Sequence, residues 1–266
     1  MNGRILIVAG SDSGGGAGIQ ADIKAVTALD GYAMTAITAL TAQDTRGVHG
    51  VHAVPVPFIR QQIRVVLDDI GADAVKTGML ATAEIIDAVA DEIAPLAGRV
   101  PIVIDPVMVS KGGQRLLDEG ATAALVARLL PLADLLTPNV PEAEALTGLE
   151  IRDLDGQREA GGRLLAMGAR AVLMKGGHLP GPEVTDLLVI PEGEIYFTGE
   201  RVDTPHTHGT GCTLASAIAA GLGQGLALPQ AVARASAYVD LAIQTAPGYG
   251  HGHGPLNHSH TVRPFP

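Results

Sequence analysis

Apolar residues fall in short runs, separated by longer stretches in which they recur at helical spacing. The runs at 4–9, 33–40, 74–77, 100–105, 135–137 and 171–175 are rich in Val and Ile. Such runs read as strands buried on both faces. The stretches 15–29, 57–67, 82–96, 114–129, 141–146, 155–167, 209–223 and 229–245 read as helices. Strand then helix, repeated, predicts a mostly parallel sheet covered on both faces. Residues 184–190 and 194–198 flank Pro191-Glu192-Gly193 and predict an antiparallel hairpin at the sheet edge. No linker, repeat or low-complexity tract interrupts the pattern, so 1–266 reads as one domain. The tail from 247 to 266 is rich in Gly, His and Pro and is expected to be irregular. Ligands of open parallel sheets bind beyond the carboxyl ends of the strands. The loops of interest therefore follow Ala9, Leu40, Thr77, Asp105, Thr137 and Lys175.

Composition narrows the partners. The chain has 266 residues, 47% hydrophobic and 17% charged, which is a globular balance. A net charge of −10 argues against nucleic acid and anionic membrane, both of which need basic stripes. No apolar run approaches the roughly 18 residues of a membrane span, and residues 1–10 are too short and plain for a signal peptide. The single cysteine, Cys212, permits no intrachain disulfide, which suits a reducing, cytoplasmic setting. Only Lys24, Lys76, Lys111 and Lys175 are lysines; the other basic residues are Arg. Lysine persists where the planar fork of arginine would not serve. An acidic chain that handles phosphate must concentrate positive potential at one place.

Four segments carry candidate chemistry. His206-Thr207-His208-Gly209-Thr210-Gly211-Cys212-Thr213 leads into an Ala-rich helix. Its glycines let successive N–H groups converge on one anion at a helix N-terminus. The helix dipole is expected to lower the pKa of Cys212. An ordinary Gly-rich helix start fits the same residues. Lys175-Gly176-Gly177-His178 follows a strand and can reach a phosphate, though the order is not that of a Walker A loop. Asn139 and Glu142 open a helix. They can hold Mg²⁺ through water or simply form a capping box. Ser11-Asp12-Ser13-Gly14-Gly15-Gly16-Ala17-Gly18 follows the first strand. Gly16-x-Gly18 with Asp44 also fits a relaxed dinucleotide fingerprint. The strand ends too early for it, however, and Asp22 sits where a pyrophosphate would lie. A loop that closes over substrate suits these glycines better. His251, His253, His258 and His260 lack the spacing and partners of a structural zinc site.

Together these segments resemble one family. Gly10 to Gly18, Thr38 to Gln43, Val75 to Met79, Asp105 to Met108, Thr137 to Asn139, Lys175 to His178, His208 to Cys212 and Gly254 to His258 occur in the order of a hydroxymethylpyrimidine/phosphomethylpyrimidine kinase of thiamine biosynthesis. The resemblance implies a ribokinase-like three-layer αβα sandwich and ATP with Mg²⁺. It also implies two successive phosphorylations of a small pyrimidine, first to the monophosphate and then to the diphosphate. By match of motif, Gln43 should bond the pyrimidine edge. Gly10 and Asp22 should line that end, and Met79 and Val107 should pack on the ring. Asp105 and Glu142 should organise the metal. Asn139, Lys175 and Thr210 should contact ATP. Gly209, Gly211 and Cys212 should form the anion hole, with Lys175 assisting and Cys212 taking the alcohol proton. The histidine-bearing tail should close the nucleotide end. Asp44 departs from the family's usual Asn. A homodimer is compatible with this reading. A pyridoxal kinase on the same fold and a nicotinamide-dependent oxidoreductase are the competing readings.

Overall fold

The structure, a computed structural model, describes residues 2–108, 116–117 and 120–262. Lys111, residues 114, 115, 118 and 119 of the expected fourth helix, and 263–266 of the tail lie outside these. The strands are β1 (Arg4–Asp12), β2 (Tyr32–Asp44), β3 (Gly47–Ala53), β4 (Ala74–Thr77), β5 (Ile102–Ile104), β6 (Leu135–Leu136), β7 (Val172–Met174), β8 (Glu183–Ile190) and β9 (Gly193–Glu200). They form one sheet in the order β3-β2-β1-β4-β5-β6-β7-β8-β9. The six strands from β2 to β7 in that order run parallel; β3, β8 and β9 are antiparallel to their neighbours.

The helices are α1 (Gly18–Ala28), α2 (Val56–Asp69), α3 (Ala83–Ile93), α4 (Ala121–Ala124), α5 (Val140–Thr147), α6 (Leu154–Ala166), α7 (Thr210–Gly223) and α8 (Leu228–Gln244). Alternation along the strands divides the core in two. Leu6 and Val8 of β1 face the layer that holds Ile59 and Ile63 of α2, Ile86 and Val89 of α3, and Leu164 of α6. Ile5, Ile7 and Ala9 face the layer of α1, α7 and α8, with Val26, Ile218 and Val232. Burial on both faces explains why the central strands are continuous apolar runs.

Three departures from the sequence pattern matter. Strand β3, Gly-Val-His-Gly-Val-His-Ala, pairs with the end of β2 although its composition favours no strand. Its pairing is set by β2, not by local preference. Helix α1 begins at Gly18, not 15, because Asp12 engages the backbone N–H groups of Gly14, Gly16 and Ala17. Among the described residues of the fourth helix, regular α geometry covers only Ala121–Ala124 and then widens into a π turn at Leu125–Leu129.

Strand order reverses between β1 and β4, and there the sheet carries its deepest charge. The Lys76 Nζ, fully buried in β4, donates to both oxygens of Asp22 of α1 at 2.9 and 3.0 Å. Ser216 of α7 donates to Asp22 at 2.7 Å. Burial alone would lower the Lys76 pKa, but the charge of Asp22 outweighs it and the ammonium is held charged. Removing one member of such a pair strands the other. Lys76→Met should therefore destabilise the protein by about 3–5 kcal/mol in urea unfolding. A loss below about 1 kcal/mol would show that the pair adds little.

Candidate functional site

The carboxyl ends of β1, β2, β4, β5, β6 and β7 open into one cavity of about 1010 Å³. One end is lined by Gly10, Gln43, Met79 and Val107. The middle holds Asp105, Lys175, Gly209, Gly211 and Cys212, and the far end is bounded by Asn139, Glu142 and the β8–β9 hairpin. Nearly every expected site residue thus meets in one space. Asp22 does not. It is fully buried beneath the cavity as the partner of Lys76, so its expected place at the pyrimidine end is corrected.

The Gly-rich start of α7 depends on contacts that only glycine permits. Gly209 caps the helix at φ 86°. A Cβ there would lie 1.8 Å from the Gly16 carbonyl oxygen, so this turn and the β1–α1 loop meet backbone to backbone. A Cβ on Gly211 would approach the Lys175 Nζ at 3.2 Å. The backbone at Gly211 therefore lies directly beside the Lys175 ammonium, with no side chain between. Thr210 closes its own turn by donating to the Thr207 carbonyl at 2.7 Å.

Lys175 sits just past β7, where Asn139 bridges to it in parallel fashion. Its Nζ lies 3.1 Å from Asp105 Oδ1 and 3.7 Å from Glu142 Oε2. Thr137 Oγ1 donates to the same Asp105 oxygen at 3.2 Å. Asn139 and Glu142 do form a capping box. The Glu142 N–H donates to Asn139 Oδ1 at 2.9 Å, and the Asn139 N–H to Glu142 Oε2 at 2.8 Å. The box that caps α5 also holds the carboxylate toward Lys175.

Burial, opposed by Lys175 and reinforced by Asp105, lifts the Glu142 carboxyl from 4.5 to about 7. Burial would lower the Lys175 pKa, yet Asp105 and Glu142 more than offset it and the ammonium is raised.

Cys212 corrects the expectation of an acidic thiol. Burial pushes it from 9.0 up to about 12; Asp22 and Asp105 add to this, while Lys76 and the Gly18 N–H oppose it. Desolvation and carboxylates outweigh the helix dipole, and Cys212 is a neutral thiol rather than a base.

Two residues the sequence left without a role organise the opposite end. Asp12 is buried, accepts from Gly14, Gly16 and Ala17, and lies 2.9 Å from His208 Nε2. An Asp followed by glycines two and four residues on is a turn signature that could have marked it. The Gln43 side-chain amide lies between Thr41 Oγ1, at 3.1 Å, and His208 Nε2, at 3.3 Å. Asp44 caps the β2–β3 turn through the Arg46 and Gly47 N–H groups and is not among the residues that line this cavity.

The tail is also displaced from its expected place. The N–H groups of His251 and Gly252 donate to Thr45 Oγ1, and that of His253 to the Thr45 carbonyl. The tail therefore closes the Gln43 end rather than the nucleotide end. His258 then packs on α7 and α8. It lies 2.9 Å from Thr213 Oγ1, and its carbonyl accepts from Tyr238.

A Mg²⁺ ion fits the donor set. Mg²⁺ is ordinarily held by one or two carboxylates, water and substrate phosphate. Asp105 and Glu142 are two converging carboxylates, and among the described residues no cluster of three or more His, Cys, Asp or Glu side chains could hold a metal by itself. Among those residues no helix is long and apolar enough to cross a membrane.

A family model described as phosphomethylpyrimidine kinase matches residues 12–257. The thiamine biosynthesis bifunctional protein ThiED of Geobacter sulfurreducens is 53% identical over 96% of this chain, which spans 52% of that protein. The hydroxymethylpyrimidine/phosphomethylpyrimidine kinase of Streptomyces coelicolor is 49% identical over 96% of this chain and 93% of its own length. Among solved structures, an ADP complex of Bacillus subtilis pyridoxal kinase superimposes with a TM-score of 0.90 at 37% identity, covering 97% of this chain and 98% of that one. A phosphomethylpyrimidine kinase from Clostridium difficile gives 0.79 at 41% identity, covering 90% and 99%. The fold is the ribokinase-like sandwich of these vitamin kinases.

The folded protein holds the Glu142 proton more tightly than the unfolded chain does. Stability should therefore fall as pH rises from about 4.5 to about 7 and stay flat on either side. Glu142→Gln should remove that slope, with a gain of up to about 3 kcal/mol at pH 8. Urea melts of both proteins across that range check this; parallel pH profiles would contradict it.

Proposed function

The chain belongs to the phosphomethylpyrimidine kinase family, and from that premise we propose that it phosphorylates 4-amino-5-hydroxymethyl-2-methylpyrimidine with ATP and then phosphorylates the resulting monophosphate. The observation that carries this reading is the continuity of the cavity. A carboxamide and two apolar side chains stand at one end, and a lysine beside the start of α7 lines the same space.

Phosphoryl transfer through a loose transition state needs positioning and charge stabilisation more than covalent help. Met79 and Val107 offer an apolar bed for a flat ring, and Gln43 offers a donor and an acceptor. The α7 N-terminus supplies N–H groups and partial positive charge where the transferred group would pass. Lys175, relieved of Asp105 and Glu142 by competing phosphate oxygens, would neutralise the nucleotide's tail. Asp105 and Glu142 would hold Mg²⁺ through water, and the ion supplies further neutralisation of phosphate charge. Asn139 and Thr210 border the nucleotide side. The lone Cys212 is free and supports a reducing, cytoplasmic setting.

Pyridoxal kinase is the second reading, favoured by the superposition on Bacillus subtilis and Staphylococcus aureus enzymes of that name. It shares the fold and the hydroxymethyl group of the acceptor. The β1–α1 loop does not support a nicotinamide site. Asp12 folds it against His208, and Asp22 lies under the first turns of α1.

Mass analysis of products from the hydroxymethylpyrimidine and MgATP should show mono- and diphosphate. Lys175→Ala should cut turnover by at least about 100-fold while leaving pyrimidine binding intact. Pyridoxal phosphate as the sole product would favour the second reading.

Charge at position 212 should separate the two steps. The monophosphate arrives with nearly two negative charges. At about 4 Å and an effective dielectric near 20, a carboxylate there would oppose each by roughly 4 kcal/mol before screening. Cys212→Asp should thus keep much of the first phosphorylation and lose the second, read as the ratio of the two rate constants. Equal slowing would mean that Cys212 matters for shape alone.

A further inference from the structure

Resting on the pyrimidine-kinase reading, we propose that the buried Lys76–Asp22 pair is a positioning element of the transfer site, a fixed positive charge beneath Cys212 that favours the anionic acceptor of the second phosphorylation over the neutral alcohol of the first.

Geometry gives the pair a direction. Lys76 of β4 and Asp22 of α1 are both fully buried. The Lys76 ammonium donates to Asp22 Oδ1 and Oδ2 at 2.9 and 3.0 Å. Ser216 Oγ donates to Asp22 Oδ1 at 2.7 Å and fixes the carboxylate against α7. Cys212 lies four residues before Ser216, on the same face of α7 and one turn, about 5.4 Å, nearer its N-terminus. The carboxylate is therefore held one turn below the thiol. The ammonium stands nearer the cavity. Lys76 contributes to the cavity wall, and Asp22 does not. A Cβ built on Gly78, in the lining loop after β4, would come 3.1 Å from the Lys76 Nζ. The pair is thus a dipole whose positive end faces the space where substrate reacts.

The thiol reports the same direction. Lys76 acts on the Cys212 sulfur more strongly than Asp22 or Asp105 does, although burial dominates all three. The net field of the pair at that position favours negative charge.

Fold stability alone does not call for such a pair, because apolar residues of similar volume often replace a buried ion pair without loss. The second phosphorylation does call for it. In that step a monoester oxygen bonds to the γ-phosphorus of ATP as the bond to the leaving ADP breaks, and an ionised monoester has no proton to give up. The acceptor brings nearly two negative charges to the place where the first step received a hydroxyl. Lys175 lies on the nucleotide side, between Asp105 and Glu142. Lys76 lies on the acceptor side, beneath the loop that carries Gly78 and Met79. A buried charge acts in low dielectric and is screened by salt far less than a surface one. A neutral alcohol gains little from it.

The experiment removes both charges together, because removing one strands the other. Lys76→Met with Asp22→Asn keeps an acceptor for Ser216, and urea melts record whether the fold is retained. The monoester is supplied directly for the second step. Its kcat/KM should fall at least about tenfold further than that of the first step. KM for the monoester should rise, and KM for ATP should stay within about twofold. A second readout needs no variant. Only four lysines are present, so the ¹⁵N signal of the buried Lys76 ammonium can be assigned and followed. Without nucleotide, it should shift further on adding the pyrimidine monophosphate than on adding the alcohol. Equal losses in both steps, or equal shifts with both ligands, would overturn the proposal. Wild-type protein that phosphorylates neither acceptor would instead sink the functional reading on which it rests.

Discussion

Two lysine ammonium groups must stay charged while shielded from water, and the site is built around meeting that demand. Lys76 and Lys175 both lie among the ends of the parallel strands. A desolvated ammonium loses its proton unless carboxylates stand close. Asp22 serves Lys76, and Asp105 with Glu142 serves Lys175. A chain with a net charge of −10 thereby holds two positive groups beside its cavity. The Glu142 carboxyl, lifted to about 7 chiefly by burial, can shed its negative charge by binding a proton.

The backbone around this charge is as constrained as the side chains. The Gly16 carbonyl leaves no room for a side chain at 209, and the Thr185 carbonyl, 2.0 Å from a Cβ built on Gly176, leaves none beside Lys175. These contacts bring the β1–α1 loop, the start of α7 and the end of β7 to one place. The tail continues the closure by bonding Thr45 at the β2–β3 turn and Thr213 in the first turn of α7. The Gln43 end of the cavity and the start of α7 are thus mechanically joined. This explains why a segment without regular structure still buries Leu256 and His258.

Much of this was legible in the sequence, for identifiable reasons. The central strands are buried on both faces and so appear as plain apolar runs, and Lys175, Asn139 and Gly209 stand at their ends or at a helix start. Glu142 was visible as a capping residue, and the structure shows that box, with the same carboxylate held 3.7 Å from Lys175. What stayed hidden depends on partners distant in the chain. Asp22 looked like a lining residue because it follows the glycine loop by one helical turn, yet its partner Lys76 lies 54 residues away and pulls it beneath the cavity. His208 is 196 residues from Asp12, so no local pattern joins them. Strand β3 has two glycines and two histidines in seven residues and forms because β2 offers an open edge.

Cys212 shows how local and global electrostatics can disagree. As the third residue of a helix it sits where the dipole favours a thiolate. That contribution is limited to the first turn and is worth roughly 0.3–1 kcal/mol at exposed sites. Burial and two nearby carboxylates act on the same sulfur and push it up to about 12. The outcome is a small, polarisable and uncharged group beside the N–H donors of α7. An uncharged group suits a site that must receive a neutral alcohol in one step and a phosphate monoester in the next. A base would aid the first acceptor and repel the second once it had become an anion. In a loose transition state the attacking oxygen bonds weakly to phosphorus and needs little help in losing its proton. The demand for a base is therefore small at the first step, and the demand for electrostatic tolerance is large at the second. A thiol meets both at the same position.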